Sequence, residues 1–164
     1  MRERQLTFPI VVKPLDGAGS AGMSRCDSLG DVRAAFSAIG RLARHQGNVI
    51  SVNDQVLAQE LLRGTEYVVD TVSLDGYHKV TDIWECVKGA HYGSAFVYEY
   101  FDLLPCEGSI QDELIAYVPG SLNALDISLG PAHARVYYRE DTGPVLVEVG
   151  SRIGGPRMPF PTAA

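Results

Sequence analysis

Residues 8–14 read FPIVVKP, and residues 15–23 continue as LDGAGSAGM. The first segment is a β-branched run that predicts a short strand, with Lys13 near its end. The second is rich in glycine, and a glycine backbone can approach a ligand closely and point several N–H groups at one anion. A lysine at the end of a strand, followed by such a loop, predicts a phosphate-binding site.

The lysine lies before the loop, and its position decides how the segment is interpreted. The segment is not a Walker A motif, in which the lysine follows the glycines at a fixed offset. It is also not a dinucleotide-binding turn. A glycine cluster alone is also typical of an ordinary surface turn, and Lys13 of a solvent-facing strand end. Other parts of the sequence have to distinguish these alternatives.

The composition is that of an acidic, folded protein. Hydrophobic residues make up 46% of the 164 residues and charged residues 21%, which excludes a disordered chain and allows one domain or two small lobes. The net charge is −6 and the 14 basic residues are scattered, so no nucleic-acid surface is expected. Apolar runs are too short to span a membrane and no apolar segment follows the N-terminus, which predicts a cytoplasmic protein.

Cysteine and histidine form no recognisable ligand pattern. The three cysteines are odd in number and widely spaced, which fits neither a disulfide framework nor a zinc site, so reduced thiols are expected. The four histidines lack metal-ligand spacing, and a structural role is the default for each except His133, whose role is left open. These residues are Cys26, Cys86, Cys106, His45, His78, His91 and His133.

Two segments, 28–46 and 109–126, have the apolar spacing of amphipathic helices. Each begins with a serine followed three residues later by an aspartate, a capping-box pattern in which each side chain satisfies a free backbone donor. Pro119 predicts a kink or a restart in the second helix, because proline lacks the backbone donor and clashes with the preceding turn. The capping pairs are Ser28 with Asp31 and Ser109 with Asp112.

The remaining apolar segments predict strands, and the whole pattern predicts an α+β fold. Asp75-Gly76 separates two β-rich runs and is a strong hairpin signal. The run at 56–62 predicts a buried strand, and the proline-rich tail at 156–164 is expected to be frayed. The other predicted strands cover residues 66–73, 78–87, 95–103, 132–139 and 144–149.

Three blocks of sequence resemble, in their order and spacing, the ATP-grasp superfamily of ligases, and above all the branch of the bacilysin-type L-amino acid ligases. The resemblance implies an ATP-grasp fold of two small lobes with antiparallel sheets and flanking helices, residues 1–62 and 63–155, with nucleotide held between them. The blocks are residues 8–23, QELLRGTEYVVD at 59–70 and GPVLVEVGSRIGG at 143–155.

By this resemblance, the chain would use ATP to turn a carboxylate, such as that of an amino acid, into an acylphosphate, from which an amine displaces phosphate. Glu66 resembles the acid that holds the ribose hydroxyls, and alternation along its predicted strand places it on the same side as Asp70. Glu148 resembles a magnesium ligand, and Arg152 resembles the catalytic arginine that steadies the substrate carboxylate or the transferred phosphate. The implied ATP-binding residues are Lys13, Gly17, Gly19, Ser20, Gly22, Glu60, Leu61, Leu62, Glu66 and Lys88.

The sequence departs from this branch in two ways. It begins shortly before Lys13 and stops soon after Arg152, where family members carry further segments that build the substrate pocket. A fragment, a truncated reading frame and a subunit that needs a partner chain all fit, and the isolated chain is expected to be inactive as a ligase. Arg135 also stands where the family pattern has a second magnesium-binding glutamate. The alternatives are a ligase core, a non-catalytic nucleotide-binding remnant, and a relative of the purine-pathway carboxylases or transformylases.

Arg135 is expected to engage Glu148 directly. If the last two strands are joined by a loop at 140–143, Arg139 pairs with Pro144, and counting back in antiparallel register places Arg135 opposite Glu148. Opposed residues have Cβ atoms about 4.5–5.5 Å apart, which is close enough for an ion pair. The arginine would then replace one ligand of Mg²⁺ and repel the ion, so little dependence of nucleotide binding on Mg²⁺ is predicted.

Overall fold

The structure is a computed structural model, and it describes residues 6–15, 22–45, 55–88 and 98–154. The chain divides into two compact units, one of Met1–Leu62 with Gly89–Val97 and one of Arg63–Lys88 with Tyr98–Ala164. Within the described residues each unit contains one antiparallel sheet and one helix, so the predicted α+β class is confirmed. Neither of these helices is long and apolar enough to cross a membrane.

The first unit is a three-stranded sheet with a helix packed on one face. Its elements are β1 (Ile10–Pro14), β2 (Ser24–Cys26), the helix α1 (Leu29–His45) and β3 (Val56–Glu60). The sheet order is β2-β1-β3, and both pairings are antiparallel. The strands and α1 enclose a small core of Ile10, Val12, Cys26, Ala35 and Ile39. Lys13 follows Val12 in β1, so its side chain points away from this core.

A variant of the predicted capping box stabilises the start of α1. Asp31 N–H donates to the Ser28 hydroxyl at 3.2 Å. The return bond goes to Asp27 instead of Ser28, because Asp27 N–H donates to the Asp31 carboxylate at 3.0 Å. The hydrogen bonds from Ser28 and Asp27 lower the pKa of Asp31, so the carboxylate that makes them is ionised at neutral pH.

The prediction of a buried strand at 56–62 is wrong. β3 ends at Glu60 and forms an edge of its sheet, paired with β1. Leu57 is 37% exposed, and Leu61 and Leu62 are half-buried after the end of the strand. The run VLAQELL at 56–62 does not distinguish a strand that is covered on both faces from an edge strand, because its apolar residues do not alternate regularly.

The second unit is a five-stranded antiparallel sheet with a helix on one face. Its elements in chain order are β4 (Thr65–Leu74), β5 (Tyr77–Lys88), β6 (Tyr98–Leu104), the helix α2 (Ser109–Ala124), β7 (Gly130–Arg139) and β8 (Gly143–Gly150). The sheet order is β6-β5-β4-β7-β8, so β4 is the central strand. The buried core between sheet and helix consists of Tyr67, Val69, Ile83, Leu114, Val118, Leu122, Ala132, Ala134 and Val136.

The β4–β5 hairpin is confirmed, with a turn of the predicted kind. Asp75 and Gly76 have φ angles of 51° and 80°, which is the left-handed pair of a type I′ turn. Gly76 N–H donates to the Ser128 carbonyl at 3.0 Å, and His78 Nε2 lies 3.2 Å from Asn123 Oδ1. The tip of the hairpin is therefore attached to the C-terminal end of α2 and the segment after it.

α2 differs from its prediction at its start, and it is continuous through its proline, where either a kink or a restart was expected. The N-cap residue is Gly108, and no side chain caps the helix, so the predicted capping box of Ser109 with Asp112 is wrong. Ser109 is instead the first residue of the helix. The helix also continues through Pro119 without a restart. Tertiary packing of its buried face, including Val118, offsets the hydrogen bond that proline cannot donate.

The β7–β8 pairing places Arg135 opposite Glu148, as predicted, but the register differs from the predicted one. Arg139 pairs with Gly143 and not with Pro144, because the connecting loop is one residue shorter than expected. A β-bulge between Arg135 and Val136 then inserts one extra residue in β8. The two differences cancel, and Arg135 still faces Glu148.

Bulges in this sheet change which side chains share a face. Strict alternation would place Leu146 and Glu148 on the same side, yet Leu146 packs against the α2 core while Glu148 lies on the opposite face with Arg135. A bulge in β5 separates Val80, which packs against the same core, from Asp82 in the same way. Each bulge lets its strand present a polar side chain away from the helix without losing a nearby core residue.

Gly64, which precedes β4, lies where the backbone of β7 passes very close to it. It has a φ of +129°, and a Cβ at this position would lie 2.1 Å from the Tyr138 carbonyl oxygen. We expect Gly64→Ala to destabilise the protein by about 2–4 kcal/mol, through both backbone strain and displacement of β7. Urea denaturation of the two proteins measures the difference.

The matched control is Gly76→Ala. Gly76 also has a positive φ, of +80°, but no described atom lies within 4 Å of the position that a Cβ would take there. Strain alone should then cost about 1–2 kcal/mol. An equal loss of stability in the two variants would show that the contact with Tyr138 contributes nothing.

Candidate functional site

The candidate site lies on the face of the five-stranded sheet opposite to α2, which we call the site face. Along β4, Tyr67 and Val69 point into the helix core, whereas Glu66, Val68 and Asp70 point to the site face. Glu66 is 2% exposed and Asp70 is 5% exposed. A buried carboxylate has to find hydrogen bonds and opposite charges within the protein, and both do.

Glu66 is the centre of a group of cations and hydroxyls, the Glu66 cluster. Arg135 Nε donates to Glu66 Oε1 at 2.8 Å, and Nη2 of the same guanidinium bonds the same oxygen. Lys88 Nζ lies 2.6 Å from Oε2, as an ion pair and not a well-directed hydrogen bond. The Tyr98 hydroxyl donates to Oε1 at 2.8 Å. Arg135 Nη1 also donates to Glu148 Oε1 at 3.2 Å, so the guanidinium bridges two carboxylates.

Aromatic rings hold the two cations of this cluster. The Lys88 ammonium lies 4.9 Å from the ring centroid of Tyr137 and 5.7 Å from that of Tyr98, and it also bonds the Tyr137 hydroxyl. The Arg135 guanidinium lies 5.2 Å from the Tyr98 centroid. Cation–π attraction adds to the ion pairs with Glu66. Lys88 and Arg135 remain 25% and 16% exposed, so each keeps an edge that a ligand can contact.

The protonation states in the cluster follow from its charges. Burial alone would lower the pKa of Lys88, but the Glu66 carboxylate and the Tyr137 hydroxyl outweigh it and raise that pKa, so the ammonium stays charged. Burial, reinforced by the charge of Glu66, raises the pKa of Cys86 to about 12. Cys86 is therefore a neutral thiol at physiological pH and not a nucleophile.

A second buried polar group, the Asp70 cluster, occupies the same face. His133 Nδ1 lies 2.6 Å from Asp70 Oδ1 in a hydrogen bond. Asp82 is the cross-strand neighbour of Asp70, and it accepts a hydrogen bond from the Trp84 indole N–H. Burial first, and then the nearby charge of Asp70, raises the pKa of Asp82. In its protonated form Asp82 can donate to Asp70, which removes the repulsion between two opposed carboxylates.

The structure describes only part of the predicted phosphate loop. Gly17, Gly19 and Ser20 lie outside the described residues, and Gly22 has a φ of +77°. Lys13 is 8% exposed on the central strand of the first sheet, so the alternative of a solvent-facing lysine is wrong. Whether Lys13 contacts phosphate stays a prediction.

The other predicted site residues differ in how they are placed. Glu60 is an exposed residue at the end of β3. Arg152 is also exposed, and its guanidinium donates to the Ile153 carbonyl at 3.0 Å. The next residues return to the site face, because Gly154 N–H donates to the Asp70 carboxylate at 3.2 Å. Their predicted roles toward a nucleotide or substrate stay predictions.

The aromatic and acidic parts of the site were not predicted from the sequence. Tyr98 and Tyr137 were not assigned a role, although both surround Lys88. Asp70 was placed on the same face as Glu66, but its partner Asp82 was not, because the bulge in β5 is invisible to strict alternation. A detectable signal was the three-residue spacing between the core residues Val80 and Ile83.

Comparison with known proteins identifies the family. Residues 6–159 match the family described as the ATP-grasp domain. The match covers nearly the whole chain, and the chain therefore belongs to the ATP-grasp family. The predicted resemblance and the predicted fold are both confirmed.

Two relatives and one solved structure are similar to nearly the whole of this chain. The chain is 35% identical over 153 residues to dapdiamide A synthase of Enterobacter agglomerans and 27% identical over 152 residues to an L-arginine-specific L-amino acid ligase of Bacillus subtilis. These alignments cover 93% and 92% of the chain and 35% of each relative. An L-amino acid ligase from Bacillus licheniformis superposes with a TM-score of 0.69 at 25% identity, over 93% of this chain and 34% of that one. The chain thus spans about a third of the length of the relatives that it matches.

The raised pKa of Asp82 predicts a dependence of stability on pH. Because the folded protein binds this proton more tightly than the unfolded chain, the stabilising contribution is present below the ordinary value of 3.8 and is lost as the pH rises through the raised value. We expect Asp82→Asn, which imitates the neutral acid, to remove this loss. Urea midpoints measured from acidic to mildly alkaline solution test the expectation.

The control for this series is Asp102→Asn, which removes an exposed carboxylate from β6. It should keep the pH dependence of the parent protein. If Asp82→Asn and the parent protein lose stability in parallel over the same range, Asp82 is not the responsible group.

Proposed function

We propose that this chain is the nucleotide-binding core of an ATP-dependent ligase that joins a carboxylate to an amine, with amino acids as substrates. In this reaction a carboxylate oxygen attacks the γ-phosphorus of ATP and ADP leaves. The amine then attacks the acyl carbon, and inorganic phosphate leaves. Family membership and the similarity to two amino acid ligases support the proposal.

The observation that carries the proposal is the Glu66 cluster. Phosphoryl transfer depends mainly on positioning and on cations that meet the charge of the transferring group. Lys88 and Arg135 are such cations, held on two strands and partly exposed. Their geometry is set before a ligand arrives, so binding needs little reorganisation.

We assign Glu66 a positioning role in this site. Its resemblance to a ribose-binding acid implied a contact with the ribose hydroxyls. A carboxylate that is 2% exposed and contacted by three side chains, however, is poorly accessible to a diol. Its charge instead fixes the orientation of Lys88 and Arg135, which can then contact phosphate.

A non-catalytic nucleotide-binding protein is the second candidate. The observation in its favour is the ion pair of Arg135 with Glu148, which engages the glutamate that resembles a metal ligand. Phosphate release from ATP that increases when amino acids are added supports a ligase. ATP binding without such release fits both candidates, because the chain spans about a third of its relatives' length and is expected to be inactive as a ligase by itself.

Lys88→Ala tests the proposed phosphate contact. We expect it to weaken ATP binding by about 1–3 kcal/mol, since a charge-assisted hydrogen bond is lost, and isothermal titration calorimetry measures the change. The matched control is Lys79→Ala, which removes an exposed lysine from the same strand and changes the formal charge by the same amount. Equal effects of the two substitutions would show that Lys88 acts on ATP binding through the net charge of the protein and not through a direct contact.

The same titration applied to Lys13→Met tests whether Lys13, in the first unit, contributes to ATP binding. Methionine keeps most of the aliphatic volume of this 8% exposed side chain and removes its charge. We expect a loss of ATP affinity of similar size, about 1–3 kcal/mol. Unchanged affinity in a folded Lys13→Met protein would contradict the assignment of Lys13 to phosphate binding.

A further inference from the structure

We propose that Arg135 is the resident cation of this site and that the chain binds nucleotide without a divalent metal ion. The inference rests on the proposed function and goes further, because it states which charge neutralises the carboxylates beside the phosphates. It follows from the way in which one guanidinium joins Glu66 to Glu148.

The residues around Glu148 do not fit a magnesium ion. Mg²⁺ requires near-octahedral oxygen ligands at close range. Glu148 Oε1 instead accepts a hydrogen bond from Arg135 Nη1 at 3.2 Å, and the partner strand offers a cation where a second acidic ligand would be needed. In the part of the chain that the structure describes, no group of three or more acidic, histidine or cysteine side chains could hold a metal ion.

Displacing Arg135 to admit an ion would also be unfavourable. Its side chain is 16% exposed, and its Nε and Nη2 atoms bond a Glu66 carboxylate that is almost completely buried. Moving the guanidinium would leave Glu66 with Lys88 as its one cationic partner among the described residues. A buried carboxylate that loses an ion-pair partner is strongly destabilising.

The charges of the Glu66 cluster already balance without a metal ion. The carboxylates of Glu66 and Glu148 carry two negative charges, and Lys88 and Arg135 carry two positive charges. An arginine in place of a glutamate changes the local charge from −1 to +1, which is the same increase that one Mg²⁺ ion would bring. Three of the five guanidinium N–H donors go to the two carboxylates, which leaves two that can bond a phosphate oxygen.

The experiment has two arms and uses the whole chain. In the first, Mn²⁺ is added without nucleotide, and bound ion is measured from the loss of its free electron paramagnetic resonance signal. We expect no protein-bound Mn²⁺ at millimolar concentration for the parent protein and measurable binding for Arg135→Glu. Arg135→Gln, which removes the cation without adding a ligand, should bind Mn²⁺ more weakly than Arg135→Glu.

In the second arm, ATP is titrated calorimetrically in EDTA and in excess Mg²⁺. The parent protein should bind ATP with affinities that agree within about threefold, whereas Arg135→Glu should bind at least about tenfold more tightly with Mg²⁺. Thermal unfolding provides a check on folding, since Mn²⁺ should raise the midpoint of Arg135→Glu and leave that of the parent protein unchanged.

The outcomes separate this inference from the proposed function. Mn²⁺ binding by the parent protein as strong as by Arg135→Glu, or ATP binding that requires Mg²⁺, overturns the inference and leaves the proposed function standing. A parent protein that binds ATP in neither buffer overturns the proposed function and, with it, the claim of metal-free nucleotide binding. In that case the Mn²⁺ arm still decides whether Arg135 excludes the ion.

Discussion

The burial of one carboxylate organises the second unit. An ionised group with 2% exposure is unfavourable unless opposite charges and hydrogen bonds replace water, and for Glu66 these come from neighbouring strands. Each of the five strands supplies a member of the resulting cluster, so the ionic contacts depend on the whole sheet being in register, just as the apolar contacts with α2 do on the other face. The contributing residues are Glu66 on β4, Lys88 on β5, Tyr98 on β6, Arg135 on β7 and Glu148 on β8.

Short-range chemistry explains which elements of the fold could be predicted. The turn at Asp75-Gly76 needs two left-handed residues and little else, and the pairing of Ser28 with Asp31 is also local. The cap of α2 and the burial of β3 depend on distant parts of the chain, and there the local pattern was misleading. Ser109 has the same spacing to its aspartate as Ser28, yet the backbone enters α2 through Gly108 with a φ of 127°. Nothing within a four-residue window distinguishes the two helix starts.

The site was predictable to the extent that strands alternate regularly. Alternation correctly placed Glu66 and Asp70 on one face, and resemblance to a family singled out Lys88 and Glu148. The bulges limited further prediction, because each moves a side chain to the other face and the spacing of nearby apolar residues is its one local sign. The opposition of Arg135 and Glu148 was obtained only because an error in the loop length and an unforeseen bulge cancelled. Registers of this kind are decided by packing on both faces of the sheet at once.

The burial of the central strand β4 also limits which residues of this protein can be substituted during evolution. Its residues from Glu66 to Thr71, together with Ser73, are buried, and Val72 alone among the residues 66–73 is exposed. One side of the strand belongs to the core and the other to the polar cluster. Almost every substitution in the strand therefore disturbs buried contacts. The outer strands β6 and β8 consist of exposed and half-buried residues, so substitutions there disturb fewer buried contacts. New ligand preferences should therefore arise at the margins of the sheet, while its centre stays nearly invariant.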